Sequence, residues 1–159
     1  MFINSMNLRS NLERNKKMIG IGSDHGGYIL KEQVKKYLTE SNILFKDFGT
    51  LDGEMCDYPN ISRDVAEQIT QGFIDKGLLF CGTGLGVAIV ANKIKGIRAV
   101  TVTDPYSARY SRLHNDANIL SLGGRVIGIG LAIELIDIFL NTDFEGGRHQ
   151  KRINMIEDF

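Results

Sequence analysis

The chain has 159 residues, of which 43% are hydrophobic and 24% are charged, and this size and composition suit one globular domain with a substantial core. Its 19 basic and 19 acidic residues cancel, so we expect neither nucleic acid nor a membrane surface as a partner, and no stretch approaches the roughly 20 apolar residues that span a bilayer. It has two cysteines and no CxxC motif, which favours a reduced, cytoplasmic setting over a disulfide framework.

The first 17 residues differ in character from the rest of the chain. They carry four basic residues and one acidic residue, Glu13, and they lack the apolar core of a secretory signal. We predict a disordered extension over residues 1–17, with a transit segment as the alternative, and a single domain over residues 18–159.

From residue 18 onward, short apolar runs alternate with segments of helical spacing. Strands are predicted at 19–22, 43–48, 78–80, 98–103 and 119–122. Helices are predicted at 30–38, 59–69, 85–93, 105–114 and 131–140, with a final helix that starts near residue 148. This alternation predicts an α/β fold, a Rossmann-like three-layer α/β/α sandwich with a five-stranded parallel sheet.

Polar and glycine-rich segments follow four of the predicted strands. They are residues 23–27, residues 81–86, Asp104 and residues 123–125. In open α/β sheets, ligands bind beyond the carboxyl ends of the strands. We therefore expect these segments to converge on one crevice.

The segment after the third strand, which we call the glycine loop, carries the most information. It consists of Gly82, Thr83, Gly84, Leu85 and Gly86. Bare backbone amides at a helix N-terminus can hold an anion. A dinucleotide fingerprint requires glycine where Val87 stands, and no Gly-Lys-Ser/Thr follows for a Walker motif. A site for a small anion or a developing oxyanion fits better, and tight packing of helix on sheet is the alternative.

Cys81 stands directly before this loop. A cysteine at a strand end is often only a small buried hydrophobe, but the adjacent loop favours a reactive thiol. The residues alone leave open whether the thiol acts as a nucleophile or as a general base.

Two later segments carry ionisable groups. His114 and Asn115 follow a predicted helix, where an imidazole can transfer protons near neutral pH or serve only a structural role. Arg148 and Arg152 share one face of the last helix and can grip a phosphate, and Arg125 is a further ligand candidate. A solvated basic face is the alternative for the arginine pair.

Asp24 and His25 follow the first strand beside two glycines. They can bind sugar oxygens, and Asp24 can equally stabilise a turn or cap a helix. The three histidines, at 25, 114 and 149, lack the spacing of the usual metal ligands, so we predict no metal ion.

Taken together, these segments resemble the type B ribose-5-phosphate isomerases, a family that includes the galactose-6-phosphate isomerase subunits. The matching segments are 22–27, 57–59, 81–86, 91–93, 96–99, 105–108, 114–118 and 145–149. No single segment is decisive, but their order and spacing across residues 18 to about 155 are specific.

The resemblance implies interconversion of ribose 5-phosphate and ribulose 5-phosphate through an enediolate, without a metal or an organic cofactor. Cys81 would be the base, and His114 would assist ring opening near Asp24 and Thr83. Some relatives use a glutamate where this chain has Val87, which strengthens the assignment of the base to Cys81.

The resemblance also implies how substrate and subunits are arranged. The amides of the glycine loop would stabilise the enediolate, and Asn115 would bind sugar oxygens. The phosphate would be held by Arg125, Arg148 and Arg152, with His25. The site would form between two subunits of a homodimer, with a tetramer as a larger option.

Three alternatives remain at this point. The substrate can instead be a six-carbon sugar phosphate such as allose 6-phosphate or galactose 6-phosphate. The chain can be a non-catalytic sugar-phosphate-binding module, although simple binding needs neither Cys81 nor His114. A thiol hydrolase would use Cys81 as a nucleophile and form a covalent adduct.

Overall fold

The computed structural model describes residues 18–159, so the predicted extension over residues 1–17 lies outside the described residues. Five strands form one sheet: β1 (Ile19–Ser23), β2 (Phe45–Asp47), β3 (Lys76–Cys81), β4 (Ala99–Thr101) and β5 (Ile119–Gly123). All pairings are parallel, in the order β2-β1-β3-β5-β4. The predicted α/β sheet is confirmed.

Six helices connect and follow these strands in the described part of the chain. They are α1 (Tyr28–Glu40), α2 (Tyr58–Thr70), α3 (Leu85–Ala91), α4 (Pro105–Leu113), α5 (Ile129–Asn141) and α6 (Arg148–Glu157). One face of the sheet packs against α1, α4 and α5, and the other packs against α2 and α3. Three layers result, as the sequence predicts.

The central strands are buried on both faces because helices cover both. Leu78 and Phe80 of β3 point into one core, while Leu79 and Cys81 point into the other. This alternation explains why β3 reads as a continuous apolar run in the sequence, since neither face meets water.

Three predicted elements exceed the observed ones by two or more residues. The strands β2 and β4 have three residues each because they are the edges of the sheet, where each pairs with one neighbour. Helix α3 ends at Ala91 and not at residue 93. The side chain of Asn92 there binds both the N–H and the carbonyl of Ala99, at 2.7 and 2.8 Å, and ties the helix end to β4.

The strand order places a crevice at the carboxyl ends of β1 and β3. The chain leaves β1 for β2 on one side and then crosses back to β3 on the other, so the two connecting segments diverge at this point. Ligands of doubly wound sheets bind at such a switch point. The predicted segments 23–27 and 81–86 both begin here.

Glycine permits the backbones of these two segments to touch. A Cβ atom on Gly27 would lie 2.4 Å from the carbonyl carbon of Phe80 and 2.6 Å from the nitrogen of Cys81. The neighbouring Gly26 approaches the nitrogen of Gly82 almost as closely, with a built Cβ at 2.9 Å. The start of α1 therefore sits directly on the end of β3.

Within residues 18–159, no helix has both the length and the apolar character that a membrane crossing requires.

Gly27→Ala should destabilise the protein by about 2–3 kcal/mol, because the new methyl meets backbone atoms that cannot rotate away. The φ of Gly27 is −103°, so the cost is steric and not conformational. Gly130→Ala in α5 is the matched control. Nothing lies within 4 Å of its built Cβ, and alanine is the better helix former by up to about 1 kcal/mol. Chemical denaturation of both variants measures the difference, and equal stabilities would contradict the close approach.

Candidate active site

The glycine loop turns sharply from β3 into α3. Gly84 is the N-cap of α3, and its φ of +80° lies in the left-handed region that favours glycine. A Cβ there would also approach the carbonyl carbon of Leu122 and Cγ2 of Thr101 to 3.0 Å each. Both the dihedral angle and the close packing therefore require glycine at this position.

The thiol of Cys81 lies inside this turn. Cys81 is 5% exposed, and its Sγ accepts a hydrogen bond from the Gly84 N–H at 3.0 Å. The Thr83 hydroxyl lies 4.0 Å from the same sulfur and accepts from the Leu85 N–H at 3.3 Å. The structure thus places a thiol, a hydroxyl and backbone amides together, as the loop sequence predicts.

Two hydroxyl groups hold the loop from behind. The Gly84 carbonyl accepts hydrogen bonds from Oγ1 of Thr101, at 2.9 Å, and from Oγ of the buried Ser121. A trans peptide points its carbonyl and the following N–H to opposite sides. Holding the Gly84 carbonyl against the sheet therefore turns the Leu85 N–H toward the open side. Sequence patterns did not reveal these two residues, because they lie on other strands.

Asp24 and Gly27 form a tight turn at the other wall of the crevice. Asp24 is 8% exposed, and its Oδ1 accepts from the Gly27 N–H at 3.0 Å. Its own N–H donates to the Phe80 carbonyl at 3.3 Å. The structural role considered for Asp24 is therefore present, and His25 beside it is exposed.

Arg125 completes this side of the crevice. Its N–H donates to the Gly82 carbonyl at 3.0 Å, and its exposed side chain lies over Gly82, 3.6–3.7 Å from where a Cβ would stand. The predicted convergence of the first, second and fourth segments on one crevice is therefore observed. Asp104, the remaining segment, caps α4 by accepting from the Ser107 N–H at 2.8 Å.

Tyr58 also lies at the glycine loop, although no local pattern in the sequence predicted it there. It is the first residue of α2, and its ring covers Gly86, whose built Cβ would lie 2.9 Å from Cζ and 3.1 Å from the hydroxyl oxygen. In the sequence, Tyr58 stands before Pro59 at a predicted helix start, and it belongs to the segment 57–59 that matches the family.

The other predicted residues form a second group, around His114. The His114 ring stacks on the His149 ring with centroids 3.9 Å apart and planes 11° apart. Oε2 of Glu145 lies 3.3 Å from Nε2 of His149 and 3.8 Å from Nε2 of His114. Arg148 and Arg152 are exposed on α6 next to this stack.

This second group lies at the amino ends of the strands, whereas Cys81 lies at their carboxyl ends. The backbone carbonyl of Asn115 accepts from Arg98, which directly precedes β4, whereas Cys81 pairs with Gly123 at the far end of β5. The five residues of β5 span roughly 15 Å between the two ends of the strand. A single chain therefore holds two separate groups of polar side chains, and His114, Asn115, Arg148 and Arg152 lie away from the thiol.

The imidazole pair does not form a favourable metal site by itself. Among the described residues, His114, Glu145 and His149 place ligand atoms within 4.8 Å of one another, a grouping that sequence spacing did not reveal. Nitrogen lone pairs lie in the ring planes, so in stacked rings they run side by side. Tetrahedral zinc needs ligands that converge on one point at about 2.0–2.1 Å.

His149 should titrate below the ordinary histidine value. Its burial lowers its pKa from 6.5, the nearby His114 and Arg148 lower it further, and only the Glu145 carboxylate opposes them. Because the folded-state pKa lies below the unfolded one, protonation of His149 on acidification destabilises the fold. NMR titration of the ring protons should give a midpoint below 6.5, and Glu145→Gln should lower it again. A midpoint at or above 6.5 would contradict the described environment.

Comparisons with known proteins identify the family of this chain. The family model described as Ribose/Galactose Isomerase matches residues 19–156. Ribose-5-phosphate isomerase B of Escherichia coli (strain K12) is 46% identical over 140 residues, which cover 88% of this chain and 94% of that protein.

Solved structures agree as well. Clostridium thermocellum ribose-5-phosphate isomerase B matches with a TM-score of 0.87 and 50% identity, over 89% of this chain and 95% of that chain. The Mycoplasma genitalium ribose-5-phosphate isomerase B with bound ribulose-5-phosphate matches with a TM-score of 0.85 and 38% identity, over 89% and 94%. The chain therefore belongs to the ribose/galactose isomerase family, as its motifs predict.

Proposed function

We propose that this protein interconverts ribose 5-phosphate and ribulose 5-phosphate, with Cys81 as the base. The observation that carries the proposal is the buried thiol of Cys81 inside a loop of backbone amides, at the crevice of a family member. A related enzyme was crystallised with ribulose-5-phosphate, which supports a five-carbon substrate.

The chemistry begins with opening of the furanose ring. His114 moves a proton between the ring oxygen and the anomeric hydroxyl, near Asp24 and Thr83. Imidazole suits this step because it both accepts and donates a proton near neutral pH. The product of the step is the open-chain aldehyde.

Proton transfer between carbons follows. The thiolate of Cys81 removes the proton from C2, the electron pair forms the C1–C2 double bond, and negative charge moves to the C1 oxygen. The thiol then returns the proton to C1, and the proton of the C2 hydroxyl moves to the C1 oxygen, which leaves a ketone at C2 and a hydroxyl on C1. The proton count is unchanged over the cycle.

Donors fixed in advance must stabilise the charge of the enediolate, because a base alone does not make C2–H acidic enough. The amides of the glycine loop are the candidate donors. The Leu85 N–H faces the open side because the Gly84 carbonyl is held against the sheet, and the enediolate oxygen would replace the Thr83 hydroxyl as its acceptor. Loss of one such donor typically costs about 3 kcal/mol of transition-state stabilisation.

The imidazole of His114 and the phosphate-binding arginines of α6 come from a second copy of the chain. The crevice at the carboxyl ends of the strands holds Cys81, Asp24, His25 and Arg125. The group at the amino ends holds His114, Asn115, Arg148 and Arg152. A two-fold dimer that sets the crevice of each chain against the His114 group of the other completes two equal sites. Pairing of such dimers into a tetramer stays a prediction.

The proposed chemistry needs a free thiol, and Cys56 and Cys81 are both free in the structure. A reducing compartment maintains this state, so we propose that the protein works in the cytoplasm.

Cys81→Ala should lower kcat by about 10²–10⁴-fold, the usual contribution of a general base, while KM changes little. Cys56→Ala is the matched control and should keep the wild-type rate. Turnover of ribose 5-phosphate in deuterated water by the wild-type enzyme should place deuterium on C1 of the ketose. Turnover by Cys81→Ala at the wild-type rate would remove Cys81 from the mechanism, and absence of turnover by the wild type would favour a binding module.

A mixture of two inactive variants tests the shared site. Cys81→Ala and His114→Asn should each be inactive as homodimers. Equal amounts, mixed by unfolding and refolding together, should recover about a quarter of the wild-type rate, because half of the dimers are mixed and each mixed dimer holds one intact site. No recovery, with mixed dimers confirmed by mass spectrometry, would place both groups in one chain's site.

The family description also includes galactose isomerases, so a six-carbon sugar phosphate is a second candidate substrate. The ratio of kcat/KM for ribose 5-phosphate to that for allose 6-phosphate or galactose 6-phosphate decides between them. We expect the five-carbon substrate to be preferred, and a ratio below one would reverse the assignment.

A further inference from the structure

Lys31 is a fully buried lysine that the proposed mechanism does not use. It lies in the second turn of α1 with a relative exposure of 0%. Its Nζ donates to both carboxylate oxygens of Asp47, at 2.9 and 2.7 Å, and to the carbonyl of Thr50, at 2.7 Å. An ammonium has three donors, so the three acceptors match its capacity.

Stability alone gives little reason to bury this charge. Removing an ammonium and a carboxylate from water costs several kcal/mol each, and apolar replacements of a buried ion pair are often as stable. The bond to the Thr50 carbonyl is different in kind, because it joins the side chain to the backbone of a neighbouring turn. An apolar side chain could not make that bond.

The turn at Gly49 and Thr50 is bonded in both directions to the last residue of β1. The Ser23 N–H donates to the Gly49 carbonyl at 2.5 Å, and the Thr50 N–H donates to the Ser23 carbonyl. Ser23 directly precedes Asp24 in the crevice. Lys31 therefore holds the turn that supports the end of β1.

The same turn also contacts the start of α2. Ile61 packs against Gly49, 3.5 Å from where its Cβ would stand, and against Gly22 of β1, where the corresponding distance is 2.7 Å. Ile61 lies three residues after Tyr58, whose ring covers Gly86. The position of the turn therefore affects Asp24 through Ser23 and Tyr58 through Ile61.

We propose that Lys31 is a positioning residue for the reaction: its ammonium holds the Gly49–Thr50 turn, and the turn places Asp24 and Tyr58 around the glycine loop. This inference rests on the proposed isomerase function for its kinetic consequence. The geometric part is independent of that function.

The charges around Lys31 balance one another. Asp47 also pairs with Lys35 at 2.9 Å, and Glu32 lies 3.3 Å from Lys31 and 3.0 Å from Lys35. Burial opposes ionisation of Asp47, but hydrogen bonds from both lysines outweigh it, and the pKa of this carboxyl lies below its usual value. Two cations and two anions give the cluster no net charge, so its field falls off quickly with distance and the proposed effect of Lys31 on the site is mechanical.

The decisive variants separate stability from positioning. Lys31→Met leaves the Asp47 carboxylate without its buried partner and should lower the free energy of unfolding. The double variant Lys31→Met/Asp47→Leu removes both charges and should recover much of that stability. It lacks both side-chain bonds to the turn, the one from Lys31 to the Thr50 carbonyl and the one from the Gly49 N–H to Asp47 at 3.1 Å. Its kcat/KM should therefore stay about 10–100-fold below wild type, as small misplacements of site groups typically cost.

Two further variants control this comparison. Lys35→Met removes the more exposed lysine of the cluster, 27% exposed, and should keep kcat/KM within about twofold. Asp47→Asn weakens the ion pair but leaves the Lys31 bond to Thr50, so it should lose stability while keeping most of its activity. Wild-type kcat/KM in the stable double variant, or equal losses in Asp47→Asn and Lys31→Met, would overturn the proposal.

A readout without turnover separates this proposal from the function itself. The backbone amide resonances of Asp24 and Gly86 should shift in Lys31→Met/Asp47→Leu and stay in place in Lys35→Met. Unchanged resonances in the double variant would overturn the positioning role even if the wild-type protein showed no isomerase activity. A wild-type protein without turnover but with these shifts would overturn only the proposed function.

Discussion

The site depends on the contact between the backbone of Gly27 and the backbone at Phe80 and Cys81. Any side chain at residue 27 would occupy the space of those atoms. Because the first turn of α1 can therefore rest on the end of β3, Asp24 and the glycine loop face each other across a narrow crevice. The thiol, its amide donor and Arg125 are held there by backbone bonds, which leaves the loop little freedom to reorganise during the reaction.

The second organising feature is the separation of two groups of polar side chains, one around Cys81 and one around His114. When parallel strands are joined by helices, every strand-to-helix loop lies at the carboxyl ends of the strands and every helix-to-strand loop lies at the amino ends. Cys81 is the last residue of β3, before a loop of the first kind, and His114 directly follows α4, in a loop of the second kind, so no rearrangement within one sheet can join them. The arginines Arg148 and Arg152 on α6 are exposed, which leaves them free for the proposed contact with a second subunit.

Local patterns predicted much of the architecture and the grouping of side chains around Cys81. The alternation of apolar runs and helical spacing located the five strands, and the GxGxG spacing after Cys81 located the loop that surrounds the thiol. Contacts that cross the sheet could not be predicted in the same way. The hydroxyls of Thr101 and Ser121 reach the Gly84 carbonyl only because β5 lies between β3 and β4, and neither this order nor the stack of His114 on His149 is written in local spacing.

A crystal structure with ribulose 5-phosphate bound would show which chain supplies each group. We expect the Cys81 sulfur of one subunit about 3–3.5 Å from C1 or C2, a distance suited to reaction. We expect the phosphate on Arg148 and Arg152 of the other subunit, with His114 of that subunit near the ring-forming oxygens, and this arrangement defines the shared site. A sugar bound far from the sulfur, or held by the arginines of the chain that supplies the sulfur, would contradict it.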